Sequence, residues 1–315
     1  EEFNGSTENI FAALQGLVWI MSSSNIGDEA KCSAASAIAA LAAENQSNKD
    51  AISSTNGAIE ALMQCANSGG DKTKGSAALA LANVVENHNQ SKELVCIYPN
   101  AFVIMTTLLR TGTEKARLHT ARLLASIALL AVLRESMGAI PGLLQELMRL
   151  GRQGESDAVA AAMCALANLA DNEPENWERI ALLEKSFVTV VDIIGSGSAD
   201  ARHHAIRLMA NLAMSNANKL RVQRTPRALH VLVAALDTEV GPAQTCAAAT
   251  LGNLAQDHPE NQGRILRVPR AAAALVAAIS SVDLSCQVNA LAAVANLAHG
   301  HAVNQLRLAQ EPGAL

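Results

Sequence analysis

The chain has 315 residues, half of them hydrophobic, yet only 2% are aromatic and 61 are alanine. This mix suits many close helix-on-helix contacts and excludes a wide core filled with rings. A net charge of −5 argues against nucleic acid as the main partner, and the longest uncharged run, residues 284–306, is too interrupted by polar residues to span a membrane. The charge is uneven: residues 1–94 carry −6, residues 95–199 carry −2 and residues 200–315 carry +3. The six cysteines have no paired spacing, which predicts free thiols in a reducing compartment, the cytoplasm or the nucleus.

Along the chain one short pattern recurs. It appears first as Ala39-Ala40-Leu41-Ala42, then as Ala82-Asn83-Val84-Val85 and Ala125-Ser126-Ile127-Ala128. It continues as Ala167-Asn168-Leu169-Ala170, Ala210-Asn211-Leu212-Ala213, Gly252-Asn253-Leu254-Ala255 and Ala295-Asn296-Leu297-Ala298. The index positions 40, 83, 126, 168, 211, 253 and 296 are therefore 42 or 43 residues apart. A period of that size is the signature of a helical repeat array. The residue before each index position is Ala or Gly, as close helix approach requires.

A second landmark opens an apolar run in each unit, at Ala58, Ala101, Ala139, Ser186, Ala228, Ala271 and Ala314. Each lies 25 residues before the next index position, except Ala139, which lies 29 before Asn168. The runs predict three helices per unit: one through the index residue, one after the landmark and a short one between them. The short helices begin near Asn48, Asn176, Asn261 and Asn304, whose side chains are expected to act as N-caps. The misplaced landmark of Gly138-Ala139-Ile140-Pro141 predicts an irregular unit. In it the short helix is mostly lost, residues 123–133 run on as one longer helix, and residues 150–157 form an exposed, mobile loop. Gly313-Ala314-Leu315 reads as the opening of an eighth unit, which suggests a fragment of a longer chain.

This three-helix unit, with its Gly-Ala-Ile-Pro entry and its Leu-Ala-Asn-Leu-Ala helix, resembles the armadillo repeat family more closely than HEAT repeats. The resemblance covers residues 10–315 and implies an all-α, right-handed α-α superhelix of about seven units plus a truncated eighth, forming a single domain over residues 1–315. It also implies that the third helices line a concave groove whose index asparagines hydrogen-bond the backbone of an extended partner segment. Asn83, Asn168, Asn211, Asn253 and Asn296 match that position, whereas Ala40 and Ser126 do not. A carboxamide suits the task because it offers both a donor and an acceptor to a peptide unit; the alternative is that these amides tie neighbouring helices together.

Four residues before each index position, on the same helical face, stand Ser36, Leu79, Arg122, Cys164, Arg207, Ala249 and Ala292. Importin-alpha-like members of the family carry tryptophan there, and this chain carries none. Arg122 with His119, and Arg207 with His203 and His204, make two basic spots instead, suited to an acidic or phosphorylated segment. No nucleophile or acid-base motif stands out, and neither histidine pair has metal-ligand company, so no enzyme activity, cofactor or metal is expected. The expectation is a non-catalytic protein-interaction scaffold or adaptor. The alternatives are a transport adaptor with altered cargo, or a regulatory repeat domain of a larger protein.

Overall fold

A computed structural model describes the backbone of residues 2–313 and the side chains of residues 10–313. Every regular element among the described residues is helical. The chain divides into two compact units, residues 1–165 and 166–315.

The first unit contains α1 (Glu2–Ser22), α2 (Asp28–Ala42), α3 (Gln46–Ser54), α4 (Ala58–Ser68), α5 (Asp71–Val85), α6 (Asn89–Ile97), α7 (Ala101–Thr111) and α8 (Glu114–Ile127). A 3-10 turn, Ala131–Leu133, then leads into α9 (Arg134–Gly138) and α10 (Leu143–Gln153). The division falls inside α11 (Ser156–Leu169). The second unit continues with α12 (Pro174–Ala181), α13 (Ser186–Ser196), α14 (Ala199–Leu212), α15 (Asn216–Arg224) and α16 (Ala228–Thr238). It ends with α17 (Pro242–Ala255), α18 (Pro259–Ile265), α19 (Ala271–Ile279), α20 (Leu284–Ala298) and α21 (Ala302–Ala309).

Within each unit the long index helices stack on one another, α2 on α5 on α8 in the first, and α14 on α17 on α20 in the second. Alanine makes this possible. Ala39, Ala82, Ala167 and Ala210 are buried one position before the index residue, so a methyl group is all that separates one helix from the next. In α20 the equivalent Ala295 is exposed, together with Leu284, Val288 and Leu291, because no described helix follows it in the stack. Ala314 and Leu315, which belong to the expected eighth unit, lie outside the described residues.

The repeat is more regular than its landmarks suggest. The residue preceding each landmark-type helix is left-handed: Gly57, Asn100, Gly142, Lys185, Arg227 and Arg270, spaced 42 or 43 residues apart, and Gly313, 43 residues further on, is left-handed too. Each of the first six precedes the next index position by 26 residues. The irregular unit is thus a misreading. Gly138 is the last helical residue of α9, and Gly142, at φ 86°, is the residue that turns the chain. That conformation costs a side chain roughly 1–2 kcal/mol and glycine nothing comparable.

Three corrections follow from this register. The short first helix is present as α9 with its preceding 3-10 turn. No long helix runs through residues 123–133, because α8 stops at Ile127 and the amide of Ala128 folds back onto Leu124 and Ser126. Residues 150–157 are no loop either: α10 extends to Gln153 with Leu150 and Gly151 buried, and only Gly154 and Glu155 separate it from α11.

The expected asparagine caps also sit differently. The residue that caps the short helix is Asn45 before α3, His88 before α6, His258 before α18 and His301 before α21, each accepting from the amide three residues on. For the histidines the acceptor is Nδ1, so that atom carries no proton. Asn48, Asn176, Asn261 and Asn304 stand three residues after the cap. Their Nδ2 groups donate backwards to the carbonyls of Leu41, Leu169, Leu254 and Leu297 at 2.7–2.9 Å. They satisfy the open C-terminal carbonyls of the index helix and fix its angle to the short helix.

Candidate functional site

The index residues lie on α2, α5, α8, α11, α14, α17 and α20, so in each unit the helix stack sets them in a row. Four of them use their amide in the same way. Nδ2 of Asn83 donates to Ala39 O at 3.0 Å, Asn211 to Ala167 O at 3.1 Å, Asn253 to Ala210 O at 3.2 Å and Asn296 to Gly252 O at 3.1 Å. In every case the acceptor is the carbonyl one position before the previous index residue. The small residue there therefore has two jobs, close packing and access to its carbonyl. These four side chains are half-buried, and their Oδ1 atoms have no partner among the described residues.

Asn168 differs from these four. It is 5% exposed, and its Oδ1 accepts a 2.6 Å hydrogen bond from Nη2 of Arg207. The structure thus brings Asn168 and Arg207 together, holding the guanidinium of α14 beside the index helix before it. Cys246 of α17 lies in the field of the same arginine, although burial dominates and pushes its thiol pKa up.

His204 and His203 share α14 with Arg207, one turn before it, and their rings lie 5.0 Å apart. Burial, and then the Arg207 charge, lowers both pKa values, that of His204 to about 4. In the first unit, burial followed by Arg122 and Lys115 lowers His119 to about 4. Nδ1 of all three histidines is buried without a partner. At neutral pH these rings are uncharged, so positive charge in the two spots comes from the arginines, with Arg122 exposed on α8 and Arg207 partly covered. The two spots belong to different units.

The sign of the pH dependence follows. A histidine with a depressed folded pKa binds more protons when unfolded, so its contribution to stability is lost as pH falls from about 6.5 towards about 4. His204→Gln and His119→Gln are expected to flatten the loss of stability between pH 7 and pH 5, read as the shift in urea midpoint. A variant whose midpoint falls as steeply as the wild type's would refute the assignment.

One recurring position was missed in the sequence. Seven residues before the index stand Ser76 and Asn289: Ser76 accepts from Ser36 at 2.9 Å, and Asn289 Nδ2 reaches Thr245 O at 3.4 Å. Its mixture of Ser, His, Ala, Cys and Asn hides the period. Among the described residues no group of three His, Cys, Asp or Glu side chains converges as a metal site would, and no single helix is long and apolar enough to cross a membrane.

A family model described as the plant U-box protein ARM repeat region matches residues 15–184, more than half of the chain. The chain belongs to this armadillo repeat family. No curated protein matches it. Two crystal structures, each described as an engineered protein, are similar to this armadillo chain at 24% identity. One superposes with a TM-score of 0.85 over 96% of this chain and 72% of its own, the other with 0.68 over 77% and 99%. At that identity the likeness shows the fold alone, an all-helical repeat architecture.

Proposed function

We propose that the chain is a non-catalytic scaffold that holds an extended segment of a partner protein along the index helices, within one armadillo domain acting in the cytoplasm. The observation that carries this reading is the row of index asparagines. Asn83, Asn211, Asn253 and Asn296 are each anchored through Nδ2 to the helix before them, which fixes the carboxamide and leaves Oδ1 directed away from that bond as an acceptor for a peptide N–H. Arg122 and Arg207 add positive charge beside the row and favour acidic or phosphorylated residues in the segment. No tryptophan lines these faces: Trp19 lies on α1, and Trp177 on α12 donates to Ala170 O. A transport adaptor that seats lysine stems between tryptophans is correspondingly disfavoured.

The test is selection of extended peptides from a displayed random library on the wild-type chain. Selected peptides are expected to lose at least about tenfold in affinity, roughly 1.4 kcal/mol, on the triple variant Asn211→Ala, Asn253→Ala, Asn296→Ala. Asn168 is left intact because it positions Arg207. Each amide also ties two helices, so Arg207→Glu serves as a second variant that spares the row. Selected peptides that bind both folded variants as tightly as the wild type, or a selection that enriches nothing, would refute the groove. A second reading has one observation in its favour: the matching family is described as a repeat region of U-box proteins. On that reading the binding serves another segment of a longer protein.

A further inference from the structure

Seven arginines of the second unit, none of them on an index helix, keep a 43-residue spacing. Arg221, Arg224 and Arg227 recur 43 residues later as Arg264, Arg267 and Arg270, and the first of them recurs again as Arg307. They lie on the short helices α15, α18 and α21 and on the turns into α16 and α19. Arg224, Arg227, His230, Arg264 and Arg267 line one surface depression of about 380 Å3 that has no acidic residue in its wall. Arg227 and His230 also line a second depression, and Arg267 lines a third with Arg270 and Arg307, so the three form a continuous strip.

The arginines divide by partnership. Arg221 is paired with Glu178, Arg264 with Glu260 and Arg270 with Asp237, while Arg307 donates to Leu266 O. Glu311 lies at the far end. The side chains of Arg224, Arg227 and Arg267 are exposed and make no hydrogen bond or ion pair among the described residues, which concentrates unpaired positive charge at the central depression. Arg227 and Arg270 also hold left-handed backbone, φ 63° and 68°, at the position occupied by Gly57, Asn100 and Gly142 in the first unit. Retaining arginine where glycine relieves strain indicates that the side chain is used. Ala228, Leu229 and His230, in the first turn of α16, complete the wall, so the positive end of that helix lies at the depression.

We propose that this arginine-lined edge docks a phosphorylated segment of a partner protein, with phosphate groups seated against Arg224, Arg227 and Arg267. Guanidinium groups match phosphate oxygens in bidentate geometry, and repetition of the trio one unit apart suits a chain carrying more than one phosphate. Nucleic acid fits less well: the chain is net negative, and no phenylalanine, tyrosine or tryptophan lines the strip to stack a base. A membrane fits less well too, because the strip is concave and no large apolar side chain projects from its centre.

The probe is a synthetic peptide of phosphoserines separated by glycine pairs, measured by fluorescence anisotropy against its unphosphorylated form. The wild-type chain is expected to bind the phosphorylated form alone, more weakly as salt rises. Arg224→Ala with Arg267→Ala should reduce that affinity by at least tenfold while the melt stays at the wild-type temperature, both side chains being exposed and unpartnered. Arg152→Ala, an exposed arginine of α10 away from this edge, should bind as the wild type does, whereas a loss confined to the triple asparagine variant would place the phosphopeptide on the index row and overturn this proposal. Absence of phosphopeptide binding, or undiminished affinity in the double arginine variant, overturns the proposal. Preferential capture of phosphatidylserine vesicles or of single-stranded DNA by the wild type, lost in the same variant, overturns it in favour of that other polyanion.

Discussion

Gly252→Leu is expected to destabilise the second unit by about 3 kcal/mol or more, lowering its melting temperature by roughly 10 °C. A Cβ placed on Gly252 would lie 3.3 Å from Cα and 3.4 Å from Cβ of Ala293, on the next index helix. A leucine cannot be accommodated there unless α17 and α20 separate. Separation would also break the hydrogen bond from Asn296 to Gly252 O, so packing and polar terms fall together. Gly252→Ala should be close to neutral. Its methyl group is tight by a few tenths of an ångström, but alanine gains about 1 kcal/mol over glycine within a helix, and alanine holds the same position in the other repeats. Circular-dichroism melts of the two variants check this. A leucine variant that melts with the wild type would mean that α17 and α20 are not held at this separation.

The same helix contact explains which parts of the fold were legible in the sequence. The index residue and its small neighbour recur because one local geometry is imposed on every unit, so a one-dimensional pattern suffices to find them. The register of α10 was harder. Gly138-Ala139-Ile140-Pro141 has the composition of a helix entry, and only the backbone shows that the left-handed residue is Gly142. Composition does not reveal φ. The arginine strip was hidden for a different reason: its residues are three apart, a spacing that suggests one helical face, whereas the turns before α16 and α19 are what gather them on one edge. The index asparagines themselves were visible as a pattern, but not their bonding. Whether Asn83 spends its amide on a partner or on Ala39 O depends on where the neighbouring helix lies, and no residue type records that.

Two classes of asparagine must therefore respond differently to substitution, and the contrast tests the whole assignment. Asn176 is fully buried: its Nδ2 donates to Leu169 O at 2.8 Å and its Oδ1 accepts from Nη1 of Arg179 at 2.9 Å. Asn176→Leu, close in volume, removes the donor for a C-terminal carbonyl of α11 and the acceptor for a guanidinium. An expected loss of about 2–3 kcal/mol follows, because the side-chain donor to Leu169 O is lost inside the fold, where a carbonyl bears its desolvation cost. Asn253→Ala removes one 3.2 Å hydrogen bond between a half-buried side chain and the last-turn carbonyl of Ala210, and should cost about 1 kcal/mol. Urea denaturation of the two variants gives the comparison directly. If Asn253→Ala were as damaging as Asn176→Leu, the index row would be mainly a structural tie, and the case for its open carboxamide oxygens as a peptide-binding face would lose its physical basis. If the index variant is mild, those residues have been kept at the surface of the stack at little benefit to stability, as asparagines selected for contact with a partner would be.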